Sequence, residues 1–244
     1  MKTKIILAIL IAFTVIGSAE KKQAKEVFSQ ENYGVNTAGT TITVQFEKGK
    51  EHNHPLFAIW LADEKGNFIQ TLYVSESIGK GVFKRASRKT GQWKSGEIQR
   101  PAALPYWSHT RGIKNELGTY TPTPAQPEVD AYTGATPQES FVLNSKTEKP
   151  LNGKCKIMLE VNQSWDWNEY WYNDLHPTDK EFKTSSQPAL VYSVDIDTDN
   201  LKQEYKMKPI GHSHYSGEDG SLNDDLSTLT TALKIAKKIT VRIQ

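Results

Sequence analysis

Thr136 is the residue whose setting most resembles a place for chemistry. It closes the stretch Asp130-Ala131-Tyr132-Thr133-Gly134-Ala135-Thr136-Pro137, just after a Pro- and Thr-rich run at residues 119–127. A threonine hydroxyl that is to act as an acceptor must be within reach of its partner, so the backbone around it has to be exposed and thin. Gly134 permits a tight turn, with a positive φ if one is required, and Ala135 adds no bulk. Asp130 supplies a carboxylate that a modifying enzyme can read or that can help hold a metal ion near phosphates. Pro137 biases Thr136 toward an extended conformation. The competing reading makes Thr133-Gly134 the corner of a β-turn and Thr136 the start of a strand.

Residues 164–174 (SWDWNEYWYND) form the densest aromatic cluster. Trp165, Trp167 and Trp171, with Tyr170 and Tyr172, offer rings that stack on flat conjugated ligands at about 0.5 to 1.5 kcal/mol each beyond buried area. The alternative is a loop whose rings plug the end of a core. Four of the six histidines form two His-x-His pairs, His52/His54 and His212/His214. On a strand, i and i+2 share a face, so each pair could grip a metal ion and two adjacent pairs would make a four-histidine site. Asn53, Gly211, Ser213 and Gly217 point to loops instead, where exposed or hydrogen-bonded histidines are the competing reading. The carboxylates at Asp195, Asp197 and Asp199, and those near Glu218 and Asp219, lack the full EF-hand spacing. No GxSxG or similar local support marks a nucleophile, so no catalytic residue is assigned.

The frame for these groups is legible in the order of the chain. Residues 1–19 read as a secretory signal, with Lys2 and Lys4 before an apolar run at residues 5–16 and Gly17-Ser18-Ala19 as the cleavage site. That run is shorter than the roughly 20 residues of a spanning helix, so the expectation is an exported, periplasmic protein with no membrane span after cleavage. Residues 20–39, rich in Lys, Gln and Glu, read as a flexible lead-in, and residues 40–244 as a single domain. A net charge of +2 excludes a strongly basic nucleic-acid binder. Cys155 is the only cysteine, so no internal disulfide forms. Its alternation with Ile157, Leu159 and Val161 places it on a buried strand face.

Period-two patterns predict strands at residues 40–46, 139–144, 154–163, 189–196, 203–210 and 239–243. Residues 55–62 (PLFAIWLA) are nearly continuous in apolar residues, as a strand covered on both sides would be, and residues 63–67 turn into a return strand at 68–74. Residues 75–127 read as loops with one short helix, and residues 227–237 carry a helical spacing. Together these predict a mainly β fold: a two-layer antiparallel immunoglobulin-like β-sandwich with long loops and at most one or two short helices.

With these segments in view, HPLFAIWLADEKGNFIQTLYV, VDAYTGATP, LEVNQSWDWNEYW, PALVYSVDID and GHSHYSGEDG resemble a family of predicted periplasmic proteins of unknown function. Some of its members are described by analogy with the immunoglobulin-like domain of the flagellar hook-assembly scaffold. The Asp-x-x-Thr-Gly-Ala-Thr stretch resembles the recognition sequence of flavin transferases, which join FMN through its phosphate to the last threonine of such motifs in exported redox proteins. The resemblance implies an extracytoplasmic electron carrier with FMN on Thr136. Asp130, Thr133, Gly134 and Ala135 would be the recognition element. A flavin transferase and a membrane-bound electron-transfer protein would be its partners. The flavin subunits of sodium-pumping quinone reductases carry their motif in a mixed α/β domain, whereas a sandwich would build its own flavin shelf, for which Trp165, Trp167 and Trp171 are the candidates. The alternative is a cofactor-free immunoglobulin-like module that scaffolds an envelope complex.

Overall fold

The computed structural model describes residues 27–87, 92 and 94–244, so the expected signal sequence and residues 20–26 of the lead-in lie outside the described residues. The first element, β1 (Ser29–Tyr33), corrects the reading of residues 20–39 as a loose lead-in throughout. Its side chains are largely exposed, so no apolar pattern betrays it; it is held through its backbone, by parallel pairing from Ser29↔Phe141 to Tyr33↔Ser145.

β2 (Thr41–Lys48), β3 (Leu56–Asp63) and β4 (Phe68–Ser75) fall where the sequence placed strands. Between the last two, the Asp63 carboxylate accepts from the amides of Lys65 and Asn67 at 2.8 and 2.9 Å, and Gly66 takes a φ of +92° to complete the turn. α1 (Glu76–Lys80) stops at Gly81, whose φ of +64° is a left-handed cap. A hairpin of β5 (Val82–Ser87) and β6 (Lys94–Glu97) follows, then α2 (Pro105–Thr110) and the two-residue β7 (Thr133–Gly134). The remaining elements are β8 (Phe141–Lys146), β9 (Lys154–Asn162), α3 (Lys180–Ser185), β10 (Leu190–Asp197), β11 (Tyr205–Lys206), β12 (Lys208–Ser213), β13 (Leu222–Asn223) and β14 (Ala236–Ile243).

Three short α-helices are thus present among the described residues, one more than expected. The helix anticipated at residues 227–237 is reduced to a single tight turn at Ala232–Lys234. Asn168 Nδ2 donates to the Thr228 carbonyl and Gln187 Nε2 to Thr231 Oγ1, which ties this segment to the stretches that follow β9 and α3.

Two sheets face each other in a sandwich. Their strand orders are β1-β8-β2-β14-β11 and β13-β12-β10-β9-β3-β4-β7, antiparallel except for the parallel pairs β1–β8 and β4–β7. The core between them takes Ile42, Val44 and Phe46 from β2, Phe57, Ile59 and Leu61 from β3, and Ile157, Leu159 and Val161 from β9. Cys155 lies on this inner face, as its alternation predicted. Phe46 stacks on Phe141 at 5.1 Å and meets the edge of Phe57 at 5.1 Å; full burial of each such side chain stabilises by about 1.5 to 3 kcal/mol.

The outer face of the larger sheet is covered as well. Ala58, Trp60, Ala62, Val74, Met158 and Val191 pack against Ile78 of α1 and against Ala103, Leu104 and Trp107 in and before α2. This second burial explains why residues 55–62 do not alternate: β3 has no solvent-facing side. No helix of the described residues is long and apolar enough to cross a membrane.

Candidate functional site

The stretch around Thr136 straps the outer edge of the larger sheet. β7 runs parallel beside the end of β4, with Val74↔Thr133 and Ser75↔Gly134 in register. Before it, a single helical turn at Asp130–Tyr132 buries the Tyr132 ring, whose hydroxyl donates to the Lys146 carbonyl at 3.1 Å. Gly134 does not take a positive φ, so the tight turn allowed by its sequence is not used. Glycine is needed there for close approach: a Cβ would overlap the Tyr33 hydroxyl and stand 2.6 Å from its Cζ. Tyr33 and Tyr73 meet at 5.0 Å with ring planes inclined by 53°. The Tyr73 hydroxyl donates to the Ala135 carbonyl at 3.1 Å. Burial pushes the Tyr73 hydroxyl far above its ordinary value, and burial with the nearby carboxylates of Glu31 and Glu76 pushes Tyr33 up to about 12. Both therefore stay neutral, and Tyr73 keeps the proton it donates to the strap.

Thr136 follows β7 and precedes β8 by several residues, outside regular pairing. It is half-buried, and its hydroxyl donates to Ser75 Oγ at 3.0 Å. Ser75 is fully buried and takes the amide hydrogen of Phe57 at 3.0 Å. Asp130 and Ala135 are exposed, and the Asp130 carboxylate pairs with Lys80 Nζ at 3.1 Å. A phosphoester on Thr136 fits this arrangement. Turning the hydroxyl outward gives up its bonds with Ser75 and with the Tyr73 hydroxyl, at a net cost of about 1 kcal/mol each, and leaves Ser75 its bond from Phe57. The exposed Ala135 leaves the flank free of bulk.

The aromatic loop starts at the same end of the sheet. Phe57 faces Val161 and Leu56 faces Asn162, while Phe57 also bonds Ser75. From β7 to β9 is three inter-strand steps, about 14 Å at the usual spacing. Of the three tryptophans, Trp165 alone is strongly exposed, at 68 %, and its φ of +66° is unusual for a bulky residue. The other two are engaged in packing. Trp167 lies edge-on to the fully buried Phe182 at 5.5 Å, while Trp171 sits 6.2 Å from both Phe182 and Tyr215 and donates through Nε1 to Thr228 at 3.1 Å. The exposed rings of the cluster are thus Trp165, Tyr170 and Tyr172, while Trp167 and Trp171 are engaged in packing.

The two histidine pairs do not assemble a metal site. His52 lies against Phe46 and Phe57, and its burial lowers its affinity for a proton. His54 is exposed and bonded to Asn53, His212 is buried against the Ser213 carbonyl at 2.8 Å, and His214 Nδ1 meets Ser216 Oγ at 2.9 Å. Among the described residues, no three His, Cys, Asp or Glu side chains converge as ligands.

Glu160 is the ionisable group the sequence reading missed. It points to the outer face of β9 with Met158, and is fully buried. Its two oxygens accept the amides of Tyr106 and Trp107 at 3.1 and 2.7 Å, capping α2 from a distant strand. Burial pushes its carboxyl up to about 8, against the opposing pull of those amides and the Ser213 hydroxyl. The signal was available in KIMLEVN, where a single carboxylate interrupts an apolar strand.

Comparison with family models, with curated proteins and with solved structures returned no match for the chain.

Proposed function

We propose that this protein is an exported redox carrier that holds FMN through a phosphoester on Thr136. The observation that carries the reading is the position of residues 130–136 as a strap on the open edge of a sheet. Asp130 and Ala135 are exposed there, and the acceptor hydroxyl is held by side-chain bonds with Ser75 and Tyr73. In this reading Asp130, Thr133, Gly134 and Ala135 form what a flavin transferase recognises. Tyr73 and Tyr33 fix the strap, the first by its bond to Ala135 and the second by filling the space above Gly134. Trp165, the most exposed ring of the aromatic loop, is free to lie against a flat ligand. Bound flavin would supply the electron chemistry; the chain supplies attachment, orientation and a surface for a membrane-bound electron-transfer partner.

The test is intact mass after export from a host that carries a flavin transferase, for the wild type, Thr136→Ala and Thr136→Ser. Addition of one FMN phosphoester to the wild type, retained in the serine variant and lost in the alanine variant, is the expected result. An unmodified wild type beside a modified positive control would overturn the proposal and leave the cofactor-free scaffolding role.

A further inference from the structure

The charges of this chain are unevenly placed. Residues 80–100 hold seven Lys and Arg against the single Glu97, a net +6, while the whole chain carries +2; the rest therefore sums to −4. Within that stretch β5 and β6 pair only with each other, as a ribbon outside both sheets of the sandwich. Between the paired positions Phe83↔Gly96 and Ser87↔Lys94, β5 runs two residues longer than β6. The surplus must leave the pairing, as in any bulge, and Lys84 and Arg85 are exposed there, with Lys94 exposed on β6. Among the described residues, none of these three cations forms a salt bridge.

The cations at the base of the ribbon differ. Lys80 is paired with Asp130 and Glu76. Arg100 is partly buried, bonds Ser164 Oγ at 3.0 Å and lies over the Phe83 ring at 4.5 Å. The base is fastened to the body, and the outer charges have no internal use.

We propose that this ribbon is a docking surface for the anionic headgroups of a phospholipid membrane. A specific protein interface is anchored by desolvated aromatic or large apolar groups; among the described residues of the ribbon, which do not include Trp93, the exposed large apolar side chain is Val82, at 37 %. What the ribbon offers is clustered charge, which a diffuse negative surface attracts. A nucleic-acid duplex spreads over about 1,000 to 2,500 Å² of protein and would draw the acidic remainder toward its phosphates, whereas a flat bilayer meets the ribbon alone. α1 touches both β5 and β7, so docking would bring the strap around Thr136 to the membrane face. The binding itself does not depend on any modification of Thr136.

Co-sedimentation of the unmodified protein tests this, with vesicles of phosphatidylcholine alone and of phosphatidylcholine with phosphatidylglycerol in equal parts. Binding to the anionic vesicles only is expected, abolished in about 1 M salt, where the Debye length falls to about 3 Å. The triple variant Lys84→Gln/Arg85→Gln/Lys94→Gln is expected to partition on the order of 100-fold more weakly, with an unchanged thermal midpoint as evidence of folding. Equal binding to both vesicle types, or a variant that binds like the wild type, would refute the proposal. Capture of duplex DNA with no vesicle binding would assign the ribbon to nucleic acid and also refute it.

Discussion

Glu160→Gln removes a carboxyl that is fully buried between the larger sheet and α2. The wild-type group has a folded pKa of about 8 against an unfolded value of 4.5, raised chiefly by burial. The sign follows from proton counting. Above the unfolded value the unfolded chain has released this proton while the folded chain retains it, so the contribution is fully present below about pH 4.5. It is lost as pH rises through about 8. Between about pH 5 and about pH 9 the loss is on the order of 4 kcal/mol, three units at about 1.36 kcal/mol each. Glutamine cannot titrate, but its NH2 group turns one of the two helix amides into an unpaired donor, at about 1 to 2 kcal/mol. The variant should therefore be less stable than wild type by about 1 to 2 kcal/mol near pH 5 and more stable by about 2 to 3 near pH 9. Urea unfolding at both pH values, with m-values compared to check that the transition is the same, measures this crossing. Asp166, raised to about 6 by burial, titrates in both proteins and cancels in the difference. A stability gap that stays constant from pH 5 to pH 9 would show that Glu160 does not titrate as its burial dictates.

Gly134→Ala should destabilise by about 1 to 3 kcal/mol, because its Cβ overlaps Tyr33. The loss should shrink in a Tyr33→Ala background, read as a non-additive shift in thermal midpoint, and full additivity would mean the two residues do not touch. Cys155 is buried on the inner face, and burial pushes its thiol up to about 11. A thiol-specific disulfide reagent should label it only after denaturation; rapid labelling of the native protein would place it elsewhere.

What the sequence made legible is the set of strands that bury one face or two. β2, β9 and β10 alternate because one side faces the inter-sheet core, and β3 reads as continuously apolar because α2 covers its back. β1 was invisible for the opposite reason, being held by backbone pairing with few buried side chains, which leaves no periodic trace. The cover layer was equally hard to read. Ala103, Leu104 and Trp107 are buried by contact with Trp60 and Val74, and such long-range contacts follow no local period. For the candidate site, Thr136 was singled out by the motif around it, while its bond to Ser75 and the tyrosines around Gly134 depend on β4 and β1, remote in sequence. The tryptophan cluster was visible as a cluster, but only Phe182, from α3, decides which rings are spent on packing.

The parallel pairing of β1 with β8 is also a contact of long sequence separation. Asn32 bonds Asn144 across 112 residues of chain, so seating the strand that carries Tyr33 closes a long loop. Closing so distant a contact is slow compared with forming the β3–β4 hairpin. Until β1 docks, Gly134 has no ring above it and the strap lacks its outer clamp. The clamp on residues 133–136 therefore depends on a strand remote in sequence, and a substitution that unseats β1 would loosen it.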